Sequence, residues 1–351
     1  MARLLQLGRH LMHLHALKRL GPILALAAAL AGCTKSAPPS VPDGDTAPLP
    51  EKIRFKTDWF PQAEHGGFYQ AAAKGFYKDA GLDVDVVPGG PGVIVPQLLL
   101  SGQVDLAMGR SDDVIVWAQQ DLPFVIVGVY MEHDPQALLL HDDDPVKTFA
   151  DLDHRSIMAE PSVHWLDYLR QKYHITLQQI PLNYGIAEFM ADRTFIQQCF
   201  VTNEPFYVRK NGGHPRTLLL SESGYNPYRI IFGTQAFVNA HKEAVRRFIA
   251  ASIHGWDDFM NGDATPAKAR ISKLNENMAE DLMDYSIQAM KDQHIVSGKP
   301  EAGEKLGLMT RQRMQDQVEV LARLKLIPQL IPLDKFVRFD LLPAELQPAA
   351  Q

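Results

Sequence analysis

Residues 53–87 read IRFKTDWFPQAEHGGFYQAAAKGFYKDAGLDVDVV, and three patterns follow one another in that span. Ile53, Phe55 and Thr57 alternate with charged residues, the period of a half-buried strand. Phe68, Ala71, Ala72 and Phe76 then share one helical face, and Gly81 suits the position just past a helix end. LDVDVV, residues 82–87, is a second strand. Strand, helix and strand in this order make a βαβ unit, which sets the two strands parallel. Between the first strand and the helix lies Asp58–Tyr69, DWFPQAEHGGFY, where Pro61, Gly66 and Gly67 interrupt regular structure. Ligands of open α/β sheets sit beyond the carboxyl ends of strands, so this loop lies where a site belongs.

The alternation continues outward. GGPG at 89–92 is a turn, VIVPQLLLSG (93–102) a short helix and VDLAMG (104–109) a third strand. Ser111 caps the helix DDVIVWAQQ, and PFVIVGVYM (123–131) is a buried strand. A second series follows Asp142: strands SIMAE, LQQIPLN, IQQCFVT and RTLLLS alternate with helices VHWLDYLRQKY, IAEFMADR and NEPFYVRKNG. From His241 the chain is helical, with Val245, Phe248, Ile249, Ser252 and Trp256 on one face. The expected fold class is α/β with two lobes, each a mainly parallel sheet flanked by helices, and a helical C-terminal part.

The first residues carry Arg3, Arg9, Lys18 and Arg19 with no acid, then an apolar run closing on Leu30-Ala31-Gly32-Cys33. A basic segment, a short apolar segment and small residues before a cut make a signal peptide over 1–32. Leu-Ala-Gly-Cys looks like a lipobox, with Cys33 the lipidated first residue of the mature chain. Residues 33–50 hold Pro, Ser and Gly with few bulky apolar side chains, a tether that builds no core. Formal charge is −6, and loss of four basic residues takes the mature chain to −10, which speaks against nucleic acid as a partner. Of the two cysteines, Cys33 is committed to lipid and Cys199 lies in the apolar run FIQQCFV, so no internal disulfide is expected.

WFPQAEHGGFYQAAAKGFYKDAGLDV, LLLSGQVDLAMG, VTNEPFYVRKNG and NAHKEAVRRFIAASIHGWDDF occur in an order that resembles one family. It comprises thiamine-pyrimidine precursor-binding proteins and fungal hydroxymethylpyrimidine phosphate synthases, and is related to sulfonate and nitrate binding proteins. The resemblance runs from about Lys52 to about Leu342 and implies a type II periplasmic-binding-protein fold, with lobe one over 51–140 and 235–351 and lobe two over 141–234. It also implies an ABC permease and ATPase as partners, a small heterocyclic ligand, most of all an aminopyrimidine, and a periplasmic, lipid-anchored location. Other heterocycles such as a flavin, then an alkylsulfonate or nitrate, are alternatives. The synthase's cofactor lysine and reacting histidine fall where this chain has Gly109 and Asp113, and its cysteine-rich run is GYNPYRIIFGT here. A synthase is therefore not expected, nor a cofactor or metal.

The resemblance and the residue chemistry together nominate a ligand set. Relatives carry an asparagine where this chain has Gln62, which marks the place for a departure in ligand. Trp59 can stack on a flat ring, contributing roughly 0.5–1.5 kcal/mol beyond area burial. His65 and Gly66 follow, Gly66 because bare backbone admits close approach. Glu204 would accept from an amino group and a ring N–H together, with Asn203 beside it either on the ligand or as helix cap. Ser111 and Asp112 follow the third strand, and the acid pair there weighs against anionic ligands. Tyr69, Tyr184, Tyr225 and Tyr228 are candidate lids.

Overall fold

A computed structural model describes residues 50–348; the expected signal peptide, Cys33 and nearly all of the tether lie outside the described residues. β1 (Glu51–Lys56) buries Ile53 and Phe55, as their alternation with charged residues requires. α1 (Gly66–Lys74) follows and stops at Gly75, whose φ of 84° is open to glycine and strained for other residues. The single helix expected from Phe68 to Phe76 is thus two, the second being α2 (Phe76–Asp79). β2 (Leu82–Val87), α3 (Val95–Leu100), β3 (Leu106–Arg110), α4 (Ser111–Gln119) and β4 (Phe124–Met131) complete the first series.

Next come β5 (Gln136–His141), β6 (Ser156–Ala159), α5 (Trp165–Tyr173), β7 (Gln178–Pro181), α6 (Ala187–Ala191), β8 (Ile196–Phe200), α7 (Glu204–Lys210) and β9 (Pro215–Leu219). The chain returns through β10 (Arg229–Thr234) and ends in α8 (Gln235–Ala240), α9 (Lys242–Asn261), α10 (Thr265–Leu274), α11 (Glu280–Asp292) and α12 (Arg311–Arg323). Two five-stranded sheets result, ordered β2-β1-β3-β10-β4 and β7-β6-β8-β5-β9. In each, four strands run one way and one opposes them: β10 is antiparallel to β3 and β4, and β5 to β8 and β9.

Those two opposing strands had no reading in the sequence. QALLLH and RIIFGT are buried nearly throughout, so neither alternates. Their places shift the division between halves. The sheets part at 132–135 and 220–228 rather than at the expected 140/141 and 234/235, because β5 belongs to the second sheet and β10 to the first. Arg313 of α12 spans both crossings, donating to the carbonyls of Glu132 and Asn226 and lying 3.7 Å over the Tyr228 ring.

α9 buries Val245, Phe248, Ile249, Ser252 and Trp256, the face its periodicity marks. It packs on α1 at very short range. A Cβ on Gly66 would fall 2.2 Å from the Phe259 ring, and one on Gly67 would fall 2.1 Å from the Trp256 ring. The paired glycines therefore exist for helix packing. Gly67→Val is expected to force the two helices apart and lower stability by about 1–3 kcal/mol, read from urea unfolding; an unchanged midpoint would refute the close approach.

Candidate functional site

The loops leaving β1, β3, β6, β7 and β8 at their carboxyl ends surround a cleft of about 820 Å³. Its floor is ionic. Arg229, first residue of the returning strand, donates to Asp58 (2.5 Å) and to the Tyr130 hydroxyl (2.9 Å), and lies 3.7 Å from Asp134. Burial opposes ionisation of Asp58, but Arg229 and then His65 outweigh it and hold the carboxylate well below its usual range. Asp134, in the first crossing, is buried more completely than it is compensated, so its carboxyl is pushed up. Beside them Arg110 reaches Asp113 at 3.2 Å and Asp112 at 3.5 Å, and His164 of the second half stands 3.6 Å from Asp113. Burial again resists, yet Arg110 and His164 bring Asp113 down to about 2.

A different carboxyl environment lies near α7. Glu204 opens that helix and accepts from the Phe200 N–H at 2.8 Å, with no cation beside it among the described residues. Burial pushes it up to about 7, with the nearby Glu64 adding to the rise. Glu64 lines the same region and accepts from the Thr202 hydroxyl across the cleft. Further out, the Trp59 and Tyr184 rings meet at 5.4 Å between centroids, and the Tyr184 hydroxyl donates to Glu160 at 3.1 Å.

Of the residues nominated from sequence, Trp59, Gln62, Tyr184, Asn203 and Glu204 line this cleft. Gln62 precedes the turn Ala63–His65 without capping it, and Asn203 makes no cap bond to α7. The other seven do not line it. His65 is fully buried behind Asp58, with Nε2 3.3 Å from Oδ1. Gly66 meets Phe259, and Tyr69 is fully buried on the inner face of α1. Ser111 is the first residue of α4 and not its cap; its hydroxyl donates to Gln317 at 2.5 Å and accepts from the Tyr228 N–H. Asp112 points away and accepts from the Tyr225 hydroxyl at 2.5 Å. Tyr225 and Tyr228 are buried and cannot act as lids.

Residues not nominated include Asp58, Glu64, Arg110, Gln136, His164 and Arg229. Asp58 and Glu64 stand within the opening loop, one on each side of Trp59 and Gln62, and loop position alone could have found them. Asp112, Asp113 and His164 form the one grouping of metal-type donors among the described residues, and Arg110 already supplies the positive charge at its centre.

The description of one protein family, NMT1/THI5 like, matches residues 62–266. The chain belongs to this family. A formylaminopyrimidine-binding protein of Halalkalibacterium halodurans is 40% identical over 226 residues, 59% of this chain and 66% of that protein, so the match spans just under two thirds of its length. A riboflavin-binding protein of Chloroflexus aurantiacus is 24% identical over 264 residues, 72% of this chain and 74% of that protein. The periplasmic aliphatic sulphonate binding protein of Escherichia coli shares the fold, with a TM-score of 0.63 and 13% identity over 82% of this chain and 92% of that one. The two-sheet architecture is therefore that of the periplasmic binding proteins. The formylaminopyrimidine-binding and riboflavin-binding relatives are binding proteins, and this chain has Gly109 and Asp113 at the positions that the resemblance assigns to the synthase's lysine and histidine.

Arg229→Met is expected to leave the half-buried Asp58 with only His65 beside it and to remove the nearest cation from the buried Asp134, lowering stability by about 1–3 kcal/mol in urea unfolding. Adding Asp58→Asn is expected to recover part of that loss. Additive losses in the double variant would show that the pair is not coupled.

Proposed function

We propose that this chain is the solute-binding component of an ABC importer, held in the cell envelope through lipidated Cys33, and that it binds an aminopyrimidine. The observation that carries this is the charge of the cleft. Asp58, Glu64, Asp113, Glu160 and Glu204 line it, while its two arginines, Arg110 and Arg229, are already held by carboxylates. A sulfonate, nitrate or phosphate would find no free cation in the cleft among the described residues, and would approach Glu64, Glu160 and Glu204, which no arginine offsets. The formylaminopyrimidine-binding relative supports the same ligand class, and the riboflavin-binding relative supports a flavin as the second reading.

Glu204 gives the ligand its chemistry. An aminopyrimidine edge presents an amino donor next to a ring nitrogen, so a carboxyl matched to both shares one proton with that nitrogen. With its value near 7, Glu204 brings this proton itself below neutral pH. Above it, the proton is taken from solvent when the complex forms. Trp59 supplies a flat apolar surface beside this edge. Ligand held by loops of both halves then favours their approach, with bending at 132–135 and 220–228.

The sign of the pH dependence follows. Affinity for an aminopyrimidine, by calorimetry, is expected to be level below about pH 7 and to fall by up to tenfold per unit above it, with proton uptake at the higher pH. Glu204→Gln is expected to flatten the profile, because the amide keeps a donor and an acceptor but does not titrate, and Glu204→Ala to lose about 1–3 kcal/mol. A flat profile in the native chain would refute the shared proton. In thermal shift, taurine and nitrate are expected to leave the melting temperature unchanged, and stabilisation by either would overturn the charge argument.

A further inference from the structure

Part of the cleft has walls of a different kind. Val93, Ile94, Val116 and Trp117 face the same space with carbon, and the buried Phe232 ring backs them 5.6 Å from Trp117. Along α4 the lining positions are Asp113, Val116, Trp117 and Gln120, a single helical stripe. Seven residues at the helical rise carry that stripe about 10 Å beyond Asp113. Ile94, at the rim, is 62% exposed, although it is a large aliphatic side chain in the wall of a cleft. The apolar region is therefore a continuation of the site, long enough to take a second chemical group.

The volume is not a gap between parted halves. Thr202 bonds Glu64, His164 meets Asp113 at 3.6 Å and Trp59 meets Tyr184 at 5.4 Å, each pair joining the two halves, and Tyr225 of the second crossing bonds Asp112 at 2.5 Å. With these contacts made, about 820 Å³ remains. That is in the upper part of the roughly 300–1,000 Å³ range of pockets for drug-sized ligands, and one substituted pyrimidine ring fills a fraction of it. The nearest charged group on that stripe, Asp113, is one turn from Val116 and Trp117 and is already paired with Arg110 and His164, so the group that the apolar residues accept is uncharged.

We propose that the ligand has two parts: the hydrogen-bonding ring placed at Glu204, and a second, uncharged and largely apolar group lying along α4 between Ile94 and Trp117, with Phe232 behind them. This rests on the aminopyrimidine reading and deepens it. The test uses two uncharged probes, the N-formyl and N-benzoyl amides of the same aminomethyl-aminopyrimidine, titrated into the mature protein. The benzoyl amide is expected to bind about tenfold tighter or more, since its added ring leaves water. Trp117→Ala and Ile94→Asp are each expected to bring the ratio of the two dissociation constants toward one. Ile94 is exposed, so its variant tests the idea even if Trp117→Ala fails to fold. Equal or weaker binding of the benzoyl amide overturns the apolar subsite alone, as does a ratio that neither variant moves. Binding of neither amide overturns the aminopyrimidine reading and the subsite with it.

Discussion

The site depends on one guanidinium. Arg229 stands at the start of the strand that returns from the second sheet, and its charge is shared by Asp58 after β1, Asp134 in the outgoing crossing and Tyr130 at the end of β4. Two distant segments, the loop after β1 and the stretch Tyr130–Asp134, thus converge on a buried cation that must be neutralised in place. The same pairing that fixes the cleft floor also removes Arg229 from use as an anion receptor. Scaffold and selectivity share one interaction.

The two ends of that floor show how neighbouring carboxyls take opposite states. Asp113 has Arg110 and His164 beside it and falls to about 2, whereas Glu204 has burial and another acid and rises to about 7. Both lie on the first turn of a helix following a strand, so secondary structure does not distinguish them. Company does: a cation in one case, its absence in the other.

Local periodicity revealed most of the fold, and the failures have a common cause. β5 and β10 were hidden because strands buried on both faces lose alternation. The glycines after His65 could be read as needing close approach, but the sequence does not say that the approaching object is Trp256 or Phe259 nearly two hundred positions away. Ser111 and Asp112 were placed correctly at a helix start, yet Gln317 and Tyr225 decide which way they face. Glu204, Asn203, Trp59 and Gln62 were legible because strand end and loop position alone carry them to the cleft. Arg229 was not, since its partners come from two stretches, Asp58 and Tyr130–Asp134, far from it in sequence.

The distribution of indole rings has an optical consequence. Of the four tryptophans, Trp59 and Trp117 line the cleft at its mouth and along α4, while Trp165 and Trp256 are buried in the two halves. Half of the chain's indoles therefore stand where a solute enters, and the other half in a constant interior. Occupancy of the cleft is written into the colour and intensity of their ultraviolet emission, and the two lining indoles separate its regions: Trp59 reports the mouth, Trp117 the apolar recess.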